Sequence, residues 1–209
     1  SDVCSSDLTY DLGWVIGPRL NASGRMVDPN QSLNLLISSS LKEAESLAEK
    51  LNKINLQRQD KTIQMYDIAS DQNNENMPYI LFSCDENYHE GIIGLVASKL
   101  VQKYNRPAVV VSFNDGLAKG SVRSIPEINI IDLLRQFEDM FESLGGHPMA
   151  AGFTMKKEDV SKLEQKMNNK AQEFVKEEWF VPSIDIDIKI PIEIVDLKLI
   201  ERLEKMKPF

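Results

Sequence analysis

Between residues 79 and 178, short apolar runs alternate with longer amphipathic stretches, and this order of elements constrains the fold more than any other feature. The short runs predict buried strands, and the turn signal Asn114-Asp115-Gly116 predicts a hairpin between two of them. The strands are expected at 79–83, 108–113, 117–121 and 149–155. The amphipathic stretches predict helices at 91–104, 130–141 and 158–178. The order βαββαβα indicates an α/β fold class, with a compact domain built on a mixed sheet.

The segments on either side of this domain carry patterns of their own. Ser40 and Glu43 form a capping box, and the apolar spacing behind it predicts one long helix over 41–69 with its middle partly in solvent. Towards the end of the chain, apolar and polar residues alternate, which predicts a half-buried strand at 184–190 and then a helix at 197–206. We interpret this end as an incomplete β-rich domain.

The composition is that of an ordinary globular protein, and it narrows the function. The net charge of −8 argues against a simple basic coat for nucleic acid, but it is compatible with a narrow basic groove. No apolar run is long enough to cross a membrane and residues 1–8 lack the apolar core of a signal peptide, so we expect a cytoplasmic protein. Residues 1–8 are interpreted as a sequencing-adapter scar, which makes the chain a fragment. Cys4 and Cys84 form neither a metal spacing nor a disulfide framework, and Cys84 is expected to be buried.

The segment Lys119–Ser124 has the residue types of a phosphate site. Arg123 follows Gly120 and is flanked by Ser121 and Ser124. The planar guanidinium can bind two phosphate oxygens, and the hydroxyls can add donors. The alternative is an arginine at a strand end that makes an ordinary surface ion pair. Because ligands of α/β domains tend to bind at strand ends, the phosphate site is the favoured interpretation.

The segment Gly145–Gly152 carries a second candidate. Gly145 and Gly146 precede His147 and allow both the backbone and the imidazole to approach a ligand closely. His147 can donate a hydrogen bond to a phosphate oxygen or act in proton transfer, which makes it the candidate catalytic residue. The alternative is a helix stop at Gly145 followed by a tight turn.

Two arginines near the start of the chain form a third candidate. Arg19 and Arg25 lie in the segment 10–27, which contains glycine, alanine and serine and is interpreted as a structured loop with short elements. Small residues beside two guanidinium groups allow close contact with a phosphate. The alternative is a solvent-exposed connector.

The segment 85–90 places carboxylates and an imidazole close together. An acidic loop before a helix explains Asp85 and Glu86 most simply, since carboxylates are favoured at helix N-termini. For His89 and Glu90, a divalent metal site and a plain loop both remain open. His89 precedes a predicted helix start, where a phosphate can also dock.

Four motifs occur in a fixed order along the chain. They are Gly-Pro-Arg-Leu-Asn-Ala-Ser-Gly-Arg-Met (17–26), His-Glu-Gly-Ile-Ile-Gly-Leu-Val-Ala-Ser (89–98), Lys-Gly-Ser-Val-Arg-Ser (119–124) and Gly-Gly-His-Pro-Met-Ala-Ala-Gly (145–152). Together they resemble the RecJ single-strand-specific DNA exonucleases of the DHH phosphoesterase superfamily. The resemblance covers the whole chain after residue 8, and four ordered motifs are far more specific than any one of them.

The resemblance implies a division into domains. It implies the end of a DHH catalytic domain, a connecting helix, a DHH-associated domain and the start of a truncated OB-type domain, at residues 9–30, 31–76, 77–180 and 181–209. The chain departs from the family in having no Asp-His-His motif and no upstream aspartate motifs. We therefore expect no metal ligands in this chain, and we expect the Mn²⁺ or Mg²⁺ of the intact enzyme to be bound elsewhere.

The resemblance also implies a function. The intact protein is expected to be a metal-dependent phosphodiester hydrolase that degrades single-stranded DNA from its 5′ end in DNA repair and recombination. Arg123 and Ser121, together with Arg19, are expected to grip the 5′-phosphate, and His147 is expected to contact the substrate phosphate. Further phosphate or DNA contacts are expected at Ser124, Gly145, Gly146, Arg25 and His89.

The same resemblance gives the expected partners and two alternatives. The expected partners are single-stranded DNA with a 5′ end and a single-strand-binding protein or helicase, with no membrane, and the chain alone is expected to be inactive. One alternative is a phosphodiesterase for short oligonucleotides or cyclic dinucleotides, which the predicted strand at 184–190 argues against. The other is a binding module without chemistry, like the related domains attached to some tRNA synthetases.

Overall fold

The structure, a computed structural model, describes residues 9–73, 77–184 and 186–206. The interpretation of residues 1–8 therefore lies outside the described part. The chain divides into two compact units. The sheet unit is Leu56–Pro182, and the helical unit comprises the described residues up to Asn55 and from Ser183 onward.

The helical unit begins with a short π-helical segment, Asp11–Ile16, that continues directly into a helix. Its helices are α1 (Gly17–Met26), α2 (Asn30–Ile37) and the first part of α3 (Leu41–Asp71). A small core forms where α1 packs on α3 through Ala22, Leu51 and Ile54. The segment 10–27 was predicted to be a structured loop with short elements, and it is helical from Asp11 to Met26 instead. Alanine and leucine positions in this stretch find helical packing partners that its glycines did not suggest.

The long helix was predicted correctly, since α3 spans 31 residues from Leu41 to Asp71. Ser40 caps it as expected, with its Oγ accepting from the Glu43 amide at 3.4 Å. Between the buried Ile54 and Met65, most side chains are exposed. The helix begins in the helical unit and ends in the sheet unit.

The sheet unit is built on five strands in the order β1-β2-β3-β5-β4. Their bounds are β1 (Leu81–Asp85), β2 (Ala108–Asn114), β3 (Leu117–Arg123), β4 (Phe141–His147) and β5 (Ala150–Lys156). β1 runs parallel to β2, and every other neighbouring pair is antiparallel. The mixed α/β fold is confirmed, with one strand more than predicted. β1 begins two residues later than predicted and places Cys84 near its end, where Cys84 is exposed rather than buried.

Helices cover both faces of this sheet. They are α4 (Ile93–Tyr104), α5 (Ile130–Arg135) and α6 (Val160–Phe174). One face forms the main core, where strand residues such as Val122 and Phe153 pack with Leu134 of α5 and Leu163 of α6. On the opposite face α4 contacts β2 and β3. Because strand side chains alternate between faces, the residues next to the core positions of β3 and β5 point to the α4 side.

The hairpin between β2 and β3 forms as the turn signal predicted. Asp115 and Gly116 have φ values of 49° and 80°, the left-handed pair that a two-residue type I′ turn requires. Asn114 pairs with Leu117 directly across this turn. The turn fixes the register of β3 and therefore the face on which Arg123 lies.

The predicted helix at 130–141 is only partly correct. Asn129 caps α5 as expected, but α5 ends at Arg135 and a 3₁₀ turn, Glu138–Met140, leads into β4. β4 was not predicted, because its only strongly apolar anchors are Phe141 and Leu144. Phe141 packs on Phe153 with a ring-centroid distance of 5.1 Å, a tertiary contact that no local pattern reveals.

The chain ends with irregular segments and one helix. α6 is shorter than predicted, with 3₁₀ turns at Lys157–Asp159 and Glu177–Phe180 on either side of it. The predicted strand at 184–190 is wrong for the described residues, where no strand forms and Ile184 is 90 % exposed. The last helix, α7 (Leu197–Glu204), was predicted correctly and is capped by Asp196. Among the described helices, none has the length and apolar character that a membrane span requires.

Candidate functional site

Arg123 and His147 lie in one row of residues that are paired across the three neighbouring strands β3, β5 and β4. Arg123 at the end of β3 pairs with Ala150 of β5, and Ala150 pairs with His147 at the end of β4. Directly paired residues share a face of the sheet, so the guanidinium and the imidazole rise from the same face, with only Ala150 between them. Two strand spacings separate their backbones, roughly 10 Å.

A second row lies beside the first. Ser121 pairs with Gly152, which pairs with Gly145. Gly145 and Gly152 are exposed, and a Cβ at Gly145 would meet no atom within 4 Å. The two rows form an open floor of small residues, which we call the open face, with Ser121 and Arg123 along one edge and His147 along the other. Gly152 and Ala150 were not predicted as site residues, although both lie in the small-residue motif after His147.

The Arg123 side chain is held in place at the end of β3. Its Nη1 donates to the Ser121 Oγ at 3.2 Å and to the Val122 carbonyl at 2.8 Å, and the side chain is half-buried. These bonds fix the guanidinium next to the serine hydroxyl. A pre-positioned guanidinium loses less side-chain entropy when it binds an anion.

Two of the predicted features of the Lys119–Ser124 motif have other roles. The Ser124 hydroxyl is buried and donates to the Ile128 carbonyl at 2.7 Å within the turn, and its phosphate contact stays a prediction. Gly120 lies on the core face, where a Cβ would come within 2.1 Å of the Phe153 ring. Gly120 therefore makes room for an aromatic ring and not for a ligand.

The glycine pair before His147 lies in a strand, so the predicted alternative of a helix stop is wrong. Gly146 approaches β5 closely, and a Cβ there would lie 2.5 Å from the Ala151 Cα. Glycine at this position lets β4 pair with β5 up to His147. The imidazole of His147 is exposed at the end of the strand.

The loop that contains His89 is tied by its own hydrogen bonds. His89 Nδ1 accepts from the Gly91 amide at 3.1 Å. Asp85 accepts from the Asn87 amide at 2.7 Å, Glu86 forms an ion pair with Lys157, and Glu90 forms one with Lys119. These carboxylates are directed at different partners. In the part of the chain that the structure describes, no three acidic, histidine or cysteine side chains lie together as a metal site requires.

Tyr88 holds this loop in place through hydrogen bonds of its buried hydroxyl. Its hydroxyl lies 2.7 Å from the Ser83 Oγ and donates to the Met65 carbonyl at 3.3 Å. Burial raises the pKa of Tyr88 to about 12, against the lowering effect of the Ser83 hydrogen bond. The phenol therefore stays neutral in the folded protein at pH values where an exposed tyrosine ionises.

Replacing Tyr88 with phenylalanine is expected to reduce the free energy of unfolding by about 1 kcal/mol at neutral pH, because buried hydrogen bonds are lost. The difference from the wild type should shrink above pH 10. The unfolded chain releases its phenol proton near the ordinary pKa of 10.0, whereas the folded chain holds it to about 12. This contribution is complete below pH 10 and lost as the pH rises to 12. Denaturant unfolding of both proteins at pH 7, 10 and 11.5 measures the difference in the free energy of unfolding. The same difference at all three pH values would contradict the raised pKa of Tyr88.

Arg19 and Arg25 lie on α1 in the helical unit. Arg19 donates from Nη1 to the Val15 carbonyl at 2.6 Å and from Nε to the Asn52 Oδ1 at 3.1 Å. Arg25 is exposed in the last turn of α1. Both are helical rather than in a loop, and their participation in phosphate binding stays a prediction.

Comparison with known proteins places these observations in a family context. Residues 76–177 match the model of the DHHA1 domain. The chain is 36% identical over 203 residues to the single-stranded-DNA-specific exonuclease RecJ of Bacillus subtilis, covering 95% of this chain and 26% of that protein. It is 30% identical over 185 residues to the RecJ of Salmonella typhimurium, covering 83% of this chain and 31% of that protein.

Solved structures give the same result. The fold matches the crystal structure of RecJ in complex with Mg²⁺ from Thermus thermophilus with a TM-score of 0.73 at 30% identity, over 79% of this chain and 26% of that one. It also matches a crystal structure of exonuclease RecJ bound to manganese, with a TM-score of 0.72 and 42% of that chain covered. The chain thus spans about a quarter to a third of the length of the curated relatives described above.

Proposed function

Because the chain carries a DHHA1 domain and belongs to the RecJ-type DHH phosphoesterases, we propose that its open face binds the 5′-phosphorylated end of single-stranded DNA. The whole protein would be a 5′-to-3′ exonuclease that acts in DNA repair and recombination. The observation that carries the proposal is the row in which Arg123 and His147 share one face across Ala150.

The residues of the open face suit a phosphate monoester. Arg123 supplies a fixed positive charge with Ser121 beside it, and His147 supplies a donor from the opposite edge. The glycine and alanine floor between them leaves room for the phosphate and the first nucleotide, because no long side chain occupies it. None of these groups can read a base, so recognition would depend on the end of the strand and not on its sequence.

Holding the terminal phosphate would set the direction of degradation. A strand fixed at its 5′ end presents one particular phosphodiester bond at a set distance from the grip, and positioning of this kind contributes greatly to catalysis. The polarity of the enzyme would therefore come from position. His147 touches the substrate phosphate in this arrangement and orients it.

The divalent ion of such an enzyme does not fit the described residues of this chain, which bring no three acidic or histidine side chains together. RecJ structures with Mg²⁺ or Mn²⁺ cover a much longer chain than this one. We assign metal binding, and with it the hydrolytic step, to the part of the relatives that this chain does not span. This chain alone is expected to bind DNA ends without hydrolysing them.

The protein partners we propose are of one class, the proteins that supply or hold single-stranded ends, such as a single-strand-binding protein or a helicase. A cytoplasmic location agrees with a substrate of this kind.

The proposal predicts a preference for one end of the strand. A single-stranded oligonucleotide with a 5′-phosphate should bind about tenfold more tightly than the same strand with a 5′-hydroxyl, as expected for one charge-assisted contact. Fluorescence anisotropy at fixed salt measures both affinities. The same strand with a 3′-phosphate is the control, because it has equal charge at the other end. Equal affinity for the 5′- and 3′-phosphorylated strands would contradict the proposal.

A further inference from the structure

The face of the sheet that carries Arg123 and His147 continues past the two rows of the open face. Lys119 of β3 pairs with Thr154 of β5, and Thr154 pairs with Ser143 of β4. We call these three residues the third row. Each lies four positions along its strand from the first row. Such positions share a face of the sheet and are roughly 14 Å apart, so the third row faces the same side as the proposed phosphate grip.

The third row repeats the chemistry of the first. In each row a cation stands on β3 and a hydrogen-bonding side chain stands on β4. They are Arg123 and His147 in the first row and Lys119 and Ser143 in the third. Lys119 and Ser143 are exposed and Thr154 is half-buried, so all three can be reached from solvent. An ammonium group with two hydroxyl donors beside it is suited to binding a phosphate.

A second cation extends the third row. Lys156 lies two positions beyond Thr154 on β5, on the same face, and is exposed. In the described part of the chain, its ammonium forms no ion pair. Lys119 and Lys156 thus place positive charge on one area of a chain whose net charge is −8. A phosphate backbone is attracted to such an area even when the whole protein is acidic.

The row between these two cationic rows carries few side chains. Gly145 and Gly152 occupy two of its three positions, and Ser121, which is bonded to Arg123, occupies the third. A strand that crosses from the first row to the third therefore passes over bare backbone on β4 and β5. A phosphodiester linkage above these glycines would meet no side chain from either strand and would stay accessible.

Glu90 holds the Lys119 ammonium at the edge of this face. Its Oε2 lies 2.6 Å from the Lys119 Nζ, and the two side chains are 54% and 48% exposed. An ion pair as exposed as this one contributes little to stability, so exchanging the carboxylate for a phosphate costs little. The carboxylate also competes with a phosphate for the ammonium. Removing its charge should therefore strengthen phosphate binding at this place.

We infer that the third row, together with Lys156, is a second phosphate site, which binds an internucleotide phosphate of the strand whose 5′ end lies at Arg123. A stacked strand rises roughly 3.4 Å per nucleotide, and even about twice this rise is short of the roughly 14 Å between the rows. The bound phosphate therefore belongs to a linkage beyond the first one. The first linkage lies over the glycines, where it stays open to hydrolysis. The inference rests on the proposed function and extends it from the strand end to the nucleotides that follow.

The test uses 5′-phosphorylated strands in which one linkage at a time is replaced by a neutral methylphosphonate, with affinities measured by fluorescence anisotropy. For the wild type, the neutral group should weaken binding about fivefold at one linkage beyond the first, and less than about twofold at the first. Lys119→Ala should bind the unmodified strand about fivefold more weakly and should no longer respond to that neutral linkage. It should keep the preference for a 5′-phosphate over a 5′-hydroxyl, because Arg123 is unchanged.

The ion pair between Lys170 and Glu173 provides matched controls. It is an exposed pair of the same kind on α6, which packs on the opposite face of the sheet. Lys170→Ala should bind the unmodified strand within about twofold of the wild type and keep the response to the neutral linkage. Glu90→Gln should strengthen binding of the unmodified strand about threefold, and Glu173→Gln should leave it unchanged.

The outcomes separate this inference from the proposed function. A wild type with no preference for the 5′-phosphate would overturn the proposed function itself. A wild type with that preference, but with the same response to a neutral group at every linkage, would overturn the second phosphate site. A Lys119→Ala variant that keeps the wild-type response, or that loses the preference for the 5′-phosphate, would also overturn it. So would a Glu90→Gln variant that binds the unmodified strand no more tightly than Glu173→Gln does.

Discussion

An Arg123→Ala variant is expected to bind the 5′-phosphorylated strand about tenfold more weakly than the wild type, which removes the preference for the phosphate, and to bind the 5′-hydroxyl strand almost unchanged. The guanidinium is held beside Ser121 by a 3.2 Å hydrogen bond and by the Val122 carbonyl at 2.8 Å, so it meets the phosphate without rearranging. Alanine removes both the charge and the bidentate geometry. The remaining serine hydroxyl is a neutral donor and cannot replace them.

The control for this variant removes an equal charge from a different place. Arg135 is exposed in α5 and forms a surface ion pair with Asp132 at 3.7 Å. Arg135→Ala should weaken binding of both strands alike and only slightly, since it changes the general electrostatic attraction to DNA. If Arg123→Ala also weakened the binding of both strands equally, Arg123 would attract DNA only through its general positive charge and would not bind the terminal phosphate.

The largest expected effect on stability comes from Gly120→Ala. A Cβ at Gly120 would lie 2.1 Å from the Phe153 ring, and this ring is already packed against Phe141 on the core face. The ring must move, and well-packed cores resist such overpacking. We expect a loss of about 3 kcal/mol in the free energy of unfolding, measured by denaturant titration at neutral pH.

Gly152→Ala is the matched comparison for this change. Gly152 lies in the neighbouring strand on the opposite face, and the atom closest to its Cβ would be the Gly120 carbonyl oxygen at an ordinary 3.6 Å. Its free energy of unfolding should differ from the wild type by no more than about 0.5 kcal/mol. Similar losses in the two variants would show that the core face does not depend on the space at Gly120.

Local signals predicted those parts of the fold that local interactions determine. The Asn114-Asp115-Gly116 turn, the capping residues Ser40 and Asn129 and the long helix α3 all follow from short-range chemistry, and the structure contains each of them. β4 does not follow from such chemistry. Its glycines give it no strand propensity, and it forms because Phe141 packs on Phe153 and Gly146 allows a close approach to β5.

At 184–190 the error is the reverse, because a local pattern predicted a strand that does not form in the described residues. The alternation of isoleucine with polar residues is a genuine strand pattern, but a strand of this kind needs a partner strand and an apolar surface to cover. In the described part of the chain, these isoleucines are exposed and no strand pairs with them. An alternation of apolar and polar residues therefore predicts a strand only where a partner strand and an apolar surface are available to the segment.

The candidate site was predictable as a set of residues but not as an arrangement. The motifs identified Arg123 and His147 because arginine beside serine and histidine after glycines are chemically suggestive wherever they occur. Their alignment depends on Ala150, which stands between them in the register of three antiparallel strands. That register follows from β4, which the sequence did not reveal. The hydrogen bond of the Ser124 hydroxyl to the Ile128 carbonyl could not be predicted for the same reason, since it exists only in the folded turn.

The most direct measurement of the central claim is a double-mutant cycle of Arg123→Ala and His147→Ala, read as the binding free energy for the 5′-phosphorylated strand. If both side chains contact one phosphate across the open face, removing the first should change what the second contributes, with a coupling of about 1 kcal/mol or more. The cycle should show no coupling with the 5′-hydroxyl strand. Losses that add within about 0.5 kcal/mol for the phosphorylated strand would mean that the two residues act on separate ligand groups, and the account would be contradicted.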